Sequence, residues 1–453
     1  MKRKAISGIM LAPLLIGMLT LAFSTSQFKS EPKTRIVDDD GPADFYTIQE
    51  AINAAYPGDT INVKAGIYYE NIIVNKSISL IGADNVNTVI NGAKGSNVIE
   101  ISDEVNNVTI SGFTLEDGSY GVYAYPRSWN NTIEDNRVLN CTYGIFVSGS
   151  GNRIQRNFIM DASRGVMVHY CNNYVVSNEI IGNQAEFSIG VDLTSGGWTQ
   201  CKENEVVGNN VTGFRWAVGL YTSDTQRPIY NNRFYHNNFM NYTQNVNIFR
   251  GVYDNSWDDG YPSGGNYWSD YTGVDLYSSP YQNETGSDGI GDTVYVIKEG
   301  NQDNYPLMGM YYDFEVLAPY DQKTYHIEVI SNSTVSNLGI YVWLSSPTQY
   351  LQPGQQFILF FVSGVENTTG FCRITIPRSV INDTYVVLLD GEEVPANELI
   401  ASNTTHAYLY FSYKHTTHEV IIVPEFPSAM ILSLFTILAT LAVVSVKRKR
   451  NCS

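Results

Sequence analysis

Basic residues and cysteine are both scarce in this 453-residue chain. It has 28 Lys+Arg against 45 Asp+Glu, a formal net charge of −17, and its dense basic clusters are the terminal runs Lys2–Lys4 and Lys447–Arg450. Nucleic acid is held by clustered cations, so this composition excludes it as a partner. Five cysteines exclude a disulfide scaffold. With 43% hydrophobic residues and 32 Tyr, disorder is excluded too.

Long apolar runs are confined to the two ends. Basic residues, the uncharged run 5–23 and small residues follow one another, which predicts a signal peptide over residues 1–24, with an uncleaved anchor as the alternative. Residues 428–446 are uncharged and, as a helix, about 28 Å long, which predicts a transmembrane helix. The basic tail 447–453 then lies in the cytoplasm and the rest of the chain lies outside.

Asn-x-Ser/Thr sequons support an exterior location. We expect candidate glycosylation at eleven positions: Asn75, Asn107, Asn130, Asn140, Asn210, Asn241, Asn283, Asn332, Asn367, Asn382 and Asn403.

An asparagine pattern repeats through the middle of the chain. Asn131-Thr-Ile-Glu-Asp-Asn136 recurs at Asn152 and Asn173 in 21-residue steps, with looser copies at Asn204 and Asn232. Glycine-led, strand-like units such as Gly144-Ile-Phe-Val follow most copies, and no helical period appears. Such a period indicates a solenoid, and recurring Asn side chains predict a hydrogen-bonded ladder. We therefore predict a right-handed parallel β-helix; a β-propeller would need antiparallel hairpins.

A cap is predicted at the start of the solenoid. In residues 45–55 the side chains of Ile48, Ala51, Ile52 and Ala55 fall on one helical face, so an N-terminal helix covers the first rung.

The segment "YTIQEAINAAYPGDTINVKAGIYYENIIVNKSISLIGADNVNTVINGA" resembles the N-terminal part of pectin-lyase-like β-helix proteins, especially the NosD-like, or CASH-domain, branch. The segment "WDDGYPSGGNYWSDYTGVDL" is similar to the block that closes the β-helix in archaeal surface proteins of that type, and "PEFPS" resembles their anchor signal. The resemblance implies a β-helix over residues 35–311 and a membrane-anchored cell-surface protein. It also implies two other functions: a polysaccharide-active enzyme, or an accessory protein for a copper site.

Residues 312–423 lack the Asn repeat. Short alternating runs split by turns predict a small antiparallel β-sandwich there, and the fold class is all-β.

Side chains that alternate along the glycine-led strands should point outward on one face. The candidate carbohydrate-binding residues on this face are Tyr123, Tyr125, Phe146, His169 and Tyr221, since aromatic rings suit the apolar faces of sugars. Ordinary exposed aromatics are the alternative. Asp192 and the nearby Arg164 offer no recognisable catalytic constellation, so the sequence favours a non-catalytic role.

Metal and disulfide sites remain open. Met167, His169 and Cys171 alternate along the chain, and their sulfur and imidazole atoms are soft ligands that suit copper. However, Cys171 and Cys201 occupy similar places on successive rungs, which favours a disulfide between them. Calcium is the better metal candidate, at a loop with Glu284, Asp288 and Asp292; Asp side chains that cap the turn are the alternative. For the whole chain, the sequence favours a cell-surface structural or carbohydrate-interacting module that is anchored in the membrane, with polysaccharide or surface glycans as partners.

Overall fold

The computed structural model describes residues 31–425 except residues 93, 196–198, 299, 346–347, 349 and 383. The predicted signal peptide, transmembrane helix and tail therefore lie outside the described residues. Within the described ranges, no helix is long and apolar enough to cross a membrane.

Three parallel sheets run along a solenoid, and each rung contributes one strand to each sheet. Sheet 1 contains Thr34–Val37, Thr60–Val63, Ser79–Gly82, Thr109–Ser111, Thr132–Glu134, Arg153–Gln155, Tyr174–Val176, Glu205–Val207 and Arg233–Tyr235. Sheet 2 contains Gly66–Tyr68, Thr88–Asn91, Thr114–Glu116, Arg137–Leu139, Phe158–Ala162, Glu179–Gly182, Asn210–Thr212, Asn238–Met240 and Tyr267–Trp268. Sheet 3 contains Ile72–Val74, Ile99–Ile101, Tyr120–Ala124, Tyr143–Ser148, Arg164–His169, Ile189–Thr194, Trp216–Tyr221 and Gln244–Ile248. The predicted parallel β-helix is confirmed.

Two ladders of buried asparagine follow the corners of the solenoid. Each Asn donates its backbone N–H and its Nδ2–H to the Oδ1 of the Asn one rung further on, at 2.8–3.2 Å. One ladder joins Asn131, Asn152, Asn173, Asn204, Asn232 and Asn255, and the other joins Asn136, Asn157, Asn178, Asn209, Asn237 and Asn266. The residue before each ladder Asn except Asn266 has a left-handed backbone, as at Asn172 (φ 56°) and Arg156 (φ 53°). This conformation turns the corner and directs the Asn side chain inward.

The helix Ile48–Ala54 covers the first rungs, as predicted. Its Ile48, Ala51 and Ile52 side chains are buried in the solenoid core. The hydroxyl of Thr47 accepts a hydrogen bond from the Glu50 N–H, and the Glu70 carboxylate accepts from the first N–H groups of the helix at 2.8 and 3.0 Å. These contacts satisfy the free N–H groups at the helix start.

The far end of the solenoid is closed by residues 256–309. Trp257 is fully buried and stacks on Phe234 at 4.3 Å between ring centroids. The buried Asp303 ends the second ladder, because its Oδ2 accepts from Asn266 N–H at 2.8 Å and from Trp268 Nε1–H at 3.0 Å. Three short strand pairs complete this half of the chain: Cys201–Lys202 with Ile229–Tyr230, Tyr277–Ser278 with Glu284–Thr285, and Tyr295–Lys298 with Asn301–Asp303.

Burial raises the pKa of Asp303 to about 7, although its N–H donors act in the opposite direction. Between the unfolded-chain value and pH 7, the folded protein holds a proton that the unfolded chain has lost, so this group costs stability as the pH rises through that window. Asp303→Asn keeps an oxygen acceptor and removes the titration. We expect the stability difference between Asp303→Asn and the unaltered protein to grow in favour of the variant from about pH 5 to pH 8, measured by urea unfolding. Parallel pH profiles would contradict this.

Two five-stranded antiparallel sheets form the C-terminal part, as the strand pattern predicted. One contains Met310–Leu317, Thr324–Ser331, Thr369–Pro377, His406–Lys414 and Ala396–Glu398, and the other contains Thr334–Val342, Gln356–Ser363, Thr417–Pro424, Tyr385–Leu389 and Glu392–Val394. Buried side chains of both sheets, such as Ile374 and Ile358, share one core. The last rung joins this part directly, because Asn238 exchanges two 2.8 Å hydrogen bonds with the backbone of Tyr311. The exact domain limits 35–311 and 312–423 stay a prediction.

Candidate ligand-binding site on sheet 3

The outward side chains of sheet 3 stand in columns, because its strands are parallel and in register. The first column is Tyr120, Tyr143, Arg164, Ile189 and Trp216. The second column is Ile73, Glu100, Tyr123, Phe146, Met167, Asp192, Gly219 and Asn247. The third column is Ser148, His169, Thr194 and Tyr221.

The five predicted carbohydrate-binding residues lie on this face in two groups. Ring centroids are 4.8 Å apart for Tyr123 and Tyr125, 4.9 Å for Tyr123 and Phe146, and 4.7 Å for Phe146 and His169. Tyr221 stands further along and is 45% exposed. Phe146 is just 6% exposed, because its neighbours cover it, so its ring supports the cluster and offers little surface to a ligand.

A pocket of about 350 Å³ opens where the side chains of the second column become small. Large side chains up to Met167 give way to Asp192 and then to Gly219, and this step makes the depression. A Cβ at Gly219 would stand 2.8 Å from Asp192 Oδ1, so a side chain there would occupy the pocket floor. The lining residues are Tyr120, Tyr143, Arg164, Met167, His169, Ile189, Asp192, Thr194, Gly219, Leu220, Tyr221 and Asn247.

An ion pair forms the polar floor of this pocket. Arg164 Nη1 donates to Asp192 Oδ2, and Thr194 Oγ1 donates to Asp192 Oδ1 at 3.3 Å. The Asp192 side chain is 1% exposed and that of Arg164 is 33% exposed. Burying a carboxylate requires such a partner, so the two side chains hold each other in place. Their sequence positions differ by 28, which corresponds to a single step between neighbouring rungs.

Sequence reasoning missed the stacked pair Tyr120 and Tyr143, whose ring centroids are 4.5 Å apart at the pocket wall. A signal was present, since each precedes the glycine of a glycine-led unit and Arg164 occupies the same position one rung later. Gly219 and Asn247 were also missed.

Burial shifts the pKa values of two pocket residues, His169 and Tyr120, away from their ordinary values. Burial lowers the pKa of His169 to about 4, so its imidazole is neutral near pH 7. Burial also raises the pKa of Tyr120. Among the pocket-lining residues that the structure describes, Asp192 is the one carboxylate. The site can therefore bind by stacking and hydrogen bonds, and it lacks the carboxylate pair of a glycosidase.

The geometry disagrees with the predicted calcium loop. Asp292 accepts from the N–H groups of Leu276 and Tyr277, Asp288 is buried and accepts from Ile290 N–H at 3.0 Å, and Glu284 is exposed on a short strand. In the described ranges, the one group of three carboxylate, His or Cys ligands close enough to share a metal is Asp38, Asp39 and Asp40. The loop carboxylates instead cap backbone N–H groups, a role that the same sequence supports equally well.

The two cysteines of the predicted disulfide are neighbours with free thiols in this structure. Cys201 is fully buried and its Sγ accepts from Asn204 Nδ2 at 3.3 Å, while Cys171 Sγ lies 3.3 Å from the Gln200 carbonyl oxygen. The Cys171–Cys201 disulfide stays a prediction.

Ten of the eleven sequon asparagines are exposed. Asn210 differs, because it lies half-buried in a strand of sheet 2 and its Oδ1 accepts from Asn238 Nδ2 at 2.6 Å. A glycan on Asn210 Nδ2 would have to fit beside this contact within the sheet, so the geometry disfavours this position. Glycosylation at the others stays a prediction.

Together, these features define a parallel β-helix protein with an outward, aromatic-lined pocket. Residues 52–273 match the family model of NosD, described as a periplasmic copper-binding protein. The predicted resemblance to NosD-like β-helix proteins is thus confirmed. A cell surface glycoprotein of Methanothermus fervidus is 28% identical in a match that covers 50% of this chain and 51% of the relative. The chain thus spans about half the length of this curated relative.

Solved structures with detectable similarity are distant. An alginate lyase from Paenibacillus sp. is 15% identical with a TM-score of 0.35, and the match covers 52% of this chain and 98% of the lyase. XylC in complex with xylose is 11% identical with a TM-score of 0.40, over 56% of this chain and 73% of XylC. A tailspike capsular polysaccharide depolymerase from Acinetobacter baumannii bacteriophage Fri1 is 9% identical with a TM-score of 0.31, over 87% and 85% of the two chains. Similarities this low carry no functional conclusion.

The donor set does not fit the copper that the family description implies. Met167 and His169 line the pocket, but Cys171 lies at a turn outside it. The three aspartates Asp38, Asp39 and Asp40 offer hard oxygen ligands, whereas copper at such accessory sites is held by sulfur and imidazole. We therefore assign no copper to this pocket.

Proposed function

We propose that this chain is an extracellular surface module whose β-helix binds carbohydrate in the pocket of sheet 3. The NosD family is described as periplasmic and the Methanothermus relative is named a cell surface glycoprotein, which supports a location outside the cytoplasm. Anchoring through residues 428–446 is part of the proposal and rests on their uncharged sequence and the four basic residues that follow.

The observation that carries the proposal is the combination of aromatic walls and a polar floor. Tyr120, Tyr143 and Tyr221 line the pocket, and aromatic faces attract the C–H groups of a sugar ring. Arg164, Asp192 and Asn247 supply hydrogen-bond donors and acceptors at its floor and edge. A concave site with apolar walls and a few convergent polar groups is the usual form of a small-ligand site.

A polysaccharide-active enzyme is the second candidate, favoured by the placement of Arg164 in one column with Tyr120 and Tyr143 at the pocket wall. The pKa shifts count against it. A general base works best with a pKa near the ambient pH, whereas burial lowers the pKa of His169 to about 4 and raises that of Tyr120. Binding without turnover is therefore the better-supported function.

A glycan array with the purified full chain in detergent tests the proposal. We expect saturable binding to at least one arrayed glycan, weakened about tenfold by Tyr221→Ala, which removes an exposed wall of the pocket. Release of reducing or unsaturated ends from a bound polysaccharide would favour the enzyme. Absence of binding to every glycan would overturn the carbohydrate assignment.

A further inference from the structure

The charges in the pocket cancel. Arg164 and Asp192 form an ion pair, and His169 is neutral near pH 7 because burial lowers its pKa to about 4. The other lining residues that the structure describes are uncharged near pH 7. The pocket therefore has no surplus positive charge with which to hold an acidic sugar.

The pocket floor offers both hydrogen-bond donors and hydrogen-bond acceptors. Arg164 offers guanidinium N–H donors beyond the one that contacts Asp192, whereas the Asp192 carboxylate offers acceptors. Asp192 Oδ1 accepts from Thr194 and borders the space above Gly219. A sugar hydroxyl both donates and accepts, so two neighbouring hydroxyls can bind the donor and the acceptor together. A sugar carboxylate accepts only, and near Asp192 it would meet a like charge.

Two other observations point to the same ligand class. The volume of about 350 Å³ is near the lower limit for ligand pockets, which suits a short saccharide segment. The chain has a net charge of −17, so its long-range field repels polyanions before they reach the pocket.

We propose that the pocket is specific for a neutral saccharide, whose adjacent hydroxyl groups bind Arg164 and Asp192, and that this ion pair rejects hexuronates. This inference rests on the proposed function, because it names the ligand class of the same site.

Binding of matched tetrasaccharides to the full chain tests it. Oligomers of glucose, mannose and galactose are each compared with the hexuronate oligomer of the same linkage, by calorimetry. We expect any bound pair to favour the neutral member by at least about tenfold. Preference for the hexuronate would overturn the inference and leave carbohydrate binding intact. Failure to bind any oligomer of either kind would count against both proposals.

Charge variants separate specificity from a structural role. Asp192→Asn leaves the charge of Arg164 uncompensated, so we expect the ratio of hexuronate to neutral affinity to rise at least about tenfold. Arg164→Gln should lower the ratio of hexuronate to neutral affinity. The two variants therefore keep the proposal testable if one of them fails to fold. Ile73→Ala, on the same column six rungs from Gly219, is the matched control and should leave the ratio unchanged. Equal losses for neutral and acidic oligomers in both charge variants would overturn the role of the ion pair.

Discussion

Asn157→Ala is expected to lower the free energy of unfolding by about 3–5 kcal/mol, because it interrupts a buried ladder in the middle of the solenoid. Asn157 Oδ1 accepts from the backbone N–H and from Nδ2 of Asn136, and its own Nδ2 donates to Asn178 Oδ1 and to the Ile133 carbonyl at 2.8 Å. Alanine removes the partner of the Asn136 backbone N–H and the Nδ2 donor to the Ile133 carbonyl, whereas Asn136 Nδ2 keeps the Ile110 carbonyl and Asn178 Oδ1 keeps the backbone N–H of residue 157. Each group left unsatisfied inside the protein costs about 1–3 kcal/mol.

Urea unfolding followed by tyrosine and tryptophan fluorescence measures this effect. Asn183→Ala is the matched control, since Asn183 is exposed one rung away and its side chain makes two exposed bonds, from Nδ2 to the Asp161 carbonyl at 3.3 Å and to Oδ1 from the Ala185 N–H at 3.1 Å. We expect the control to change stability by less than about 0.5 kcal/mol. Equal, small effects of the two substitutions would show that the ladder is not a main source of stability.

Gly219→Leu is expected to weaken carbohydrate binding at least about fiftyfold and to lower stability as well, because the new side chain crowds Asp192 and Ile189. The residue faces outward from sheet 3 and its backbone is not in the left-handed region, so the backbone itself accepts a side chain. The new side chain would occupy the pocket floor and push against Asp192, whose Oδ1 lies 2.8 Å from the position of the added Cβ.

Titration of the full chain with its best-bound neutral tetrasaccharide measures the loss. Ile73→Ala serves again as the control, because it alters the same outward column far from the pocket. Undiminished affinity of Gly219→Leu, with the fold intact by circular dichroism, would place the ligand elsewhere.

Features with a local period could be predicted from the sequence. The Asn131 and Asn152 copies reveal the rung length, and alternation in the glycine-led units predicts which side chains face outward on sheet 3. The amphipathic pattern of Ile48 and Ile52 likewise predicts the cap. In each case the physical cause is a repeated turn or an apolar face, and both leave a trace within a few residues.

Features that depend on contact between rungs were harder to predict. The depth of the pocket depends on the decrease in side-chain size from Met167 to Gly219 along a column, which becomes visible once the register is known. Phe146 was expected at the surface, but its exposure depends on the rings above and below it. In the loop predicted to bind calcium, Asp288 and Asp292 accept from backbone N–H groups, and turn-capping and metal-binding aspartates have the same local sequence, so calcium binding there stays a prediction.

Photo-crosslinking tests most directly whether the pocket on sheet 3 binds a neutral saccharide. A neutral tetrasaccharide that carries a photoreactive group is bound to the full chain, and the modified residues are identified by mass spectrometry. The account predicts modification of pocket residues, in particular Tyr120, Tyr143 and Tyr221, that excess unlabelled tetrasaccharide suppresses. Competed modification confined to the C-terminal sheets, or to the outer faces of sheets 1 and 2, would contradict it.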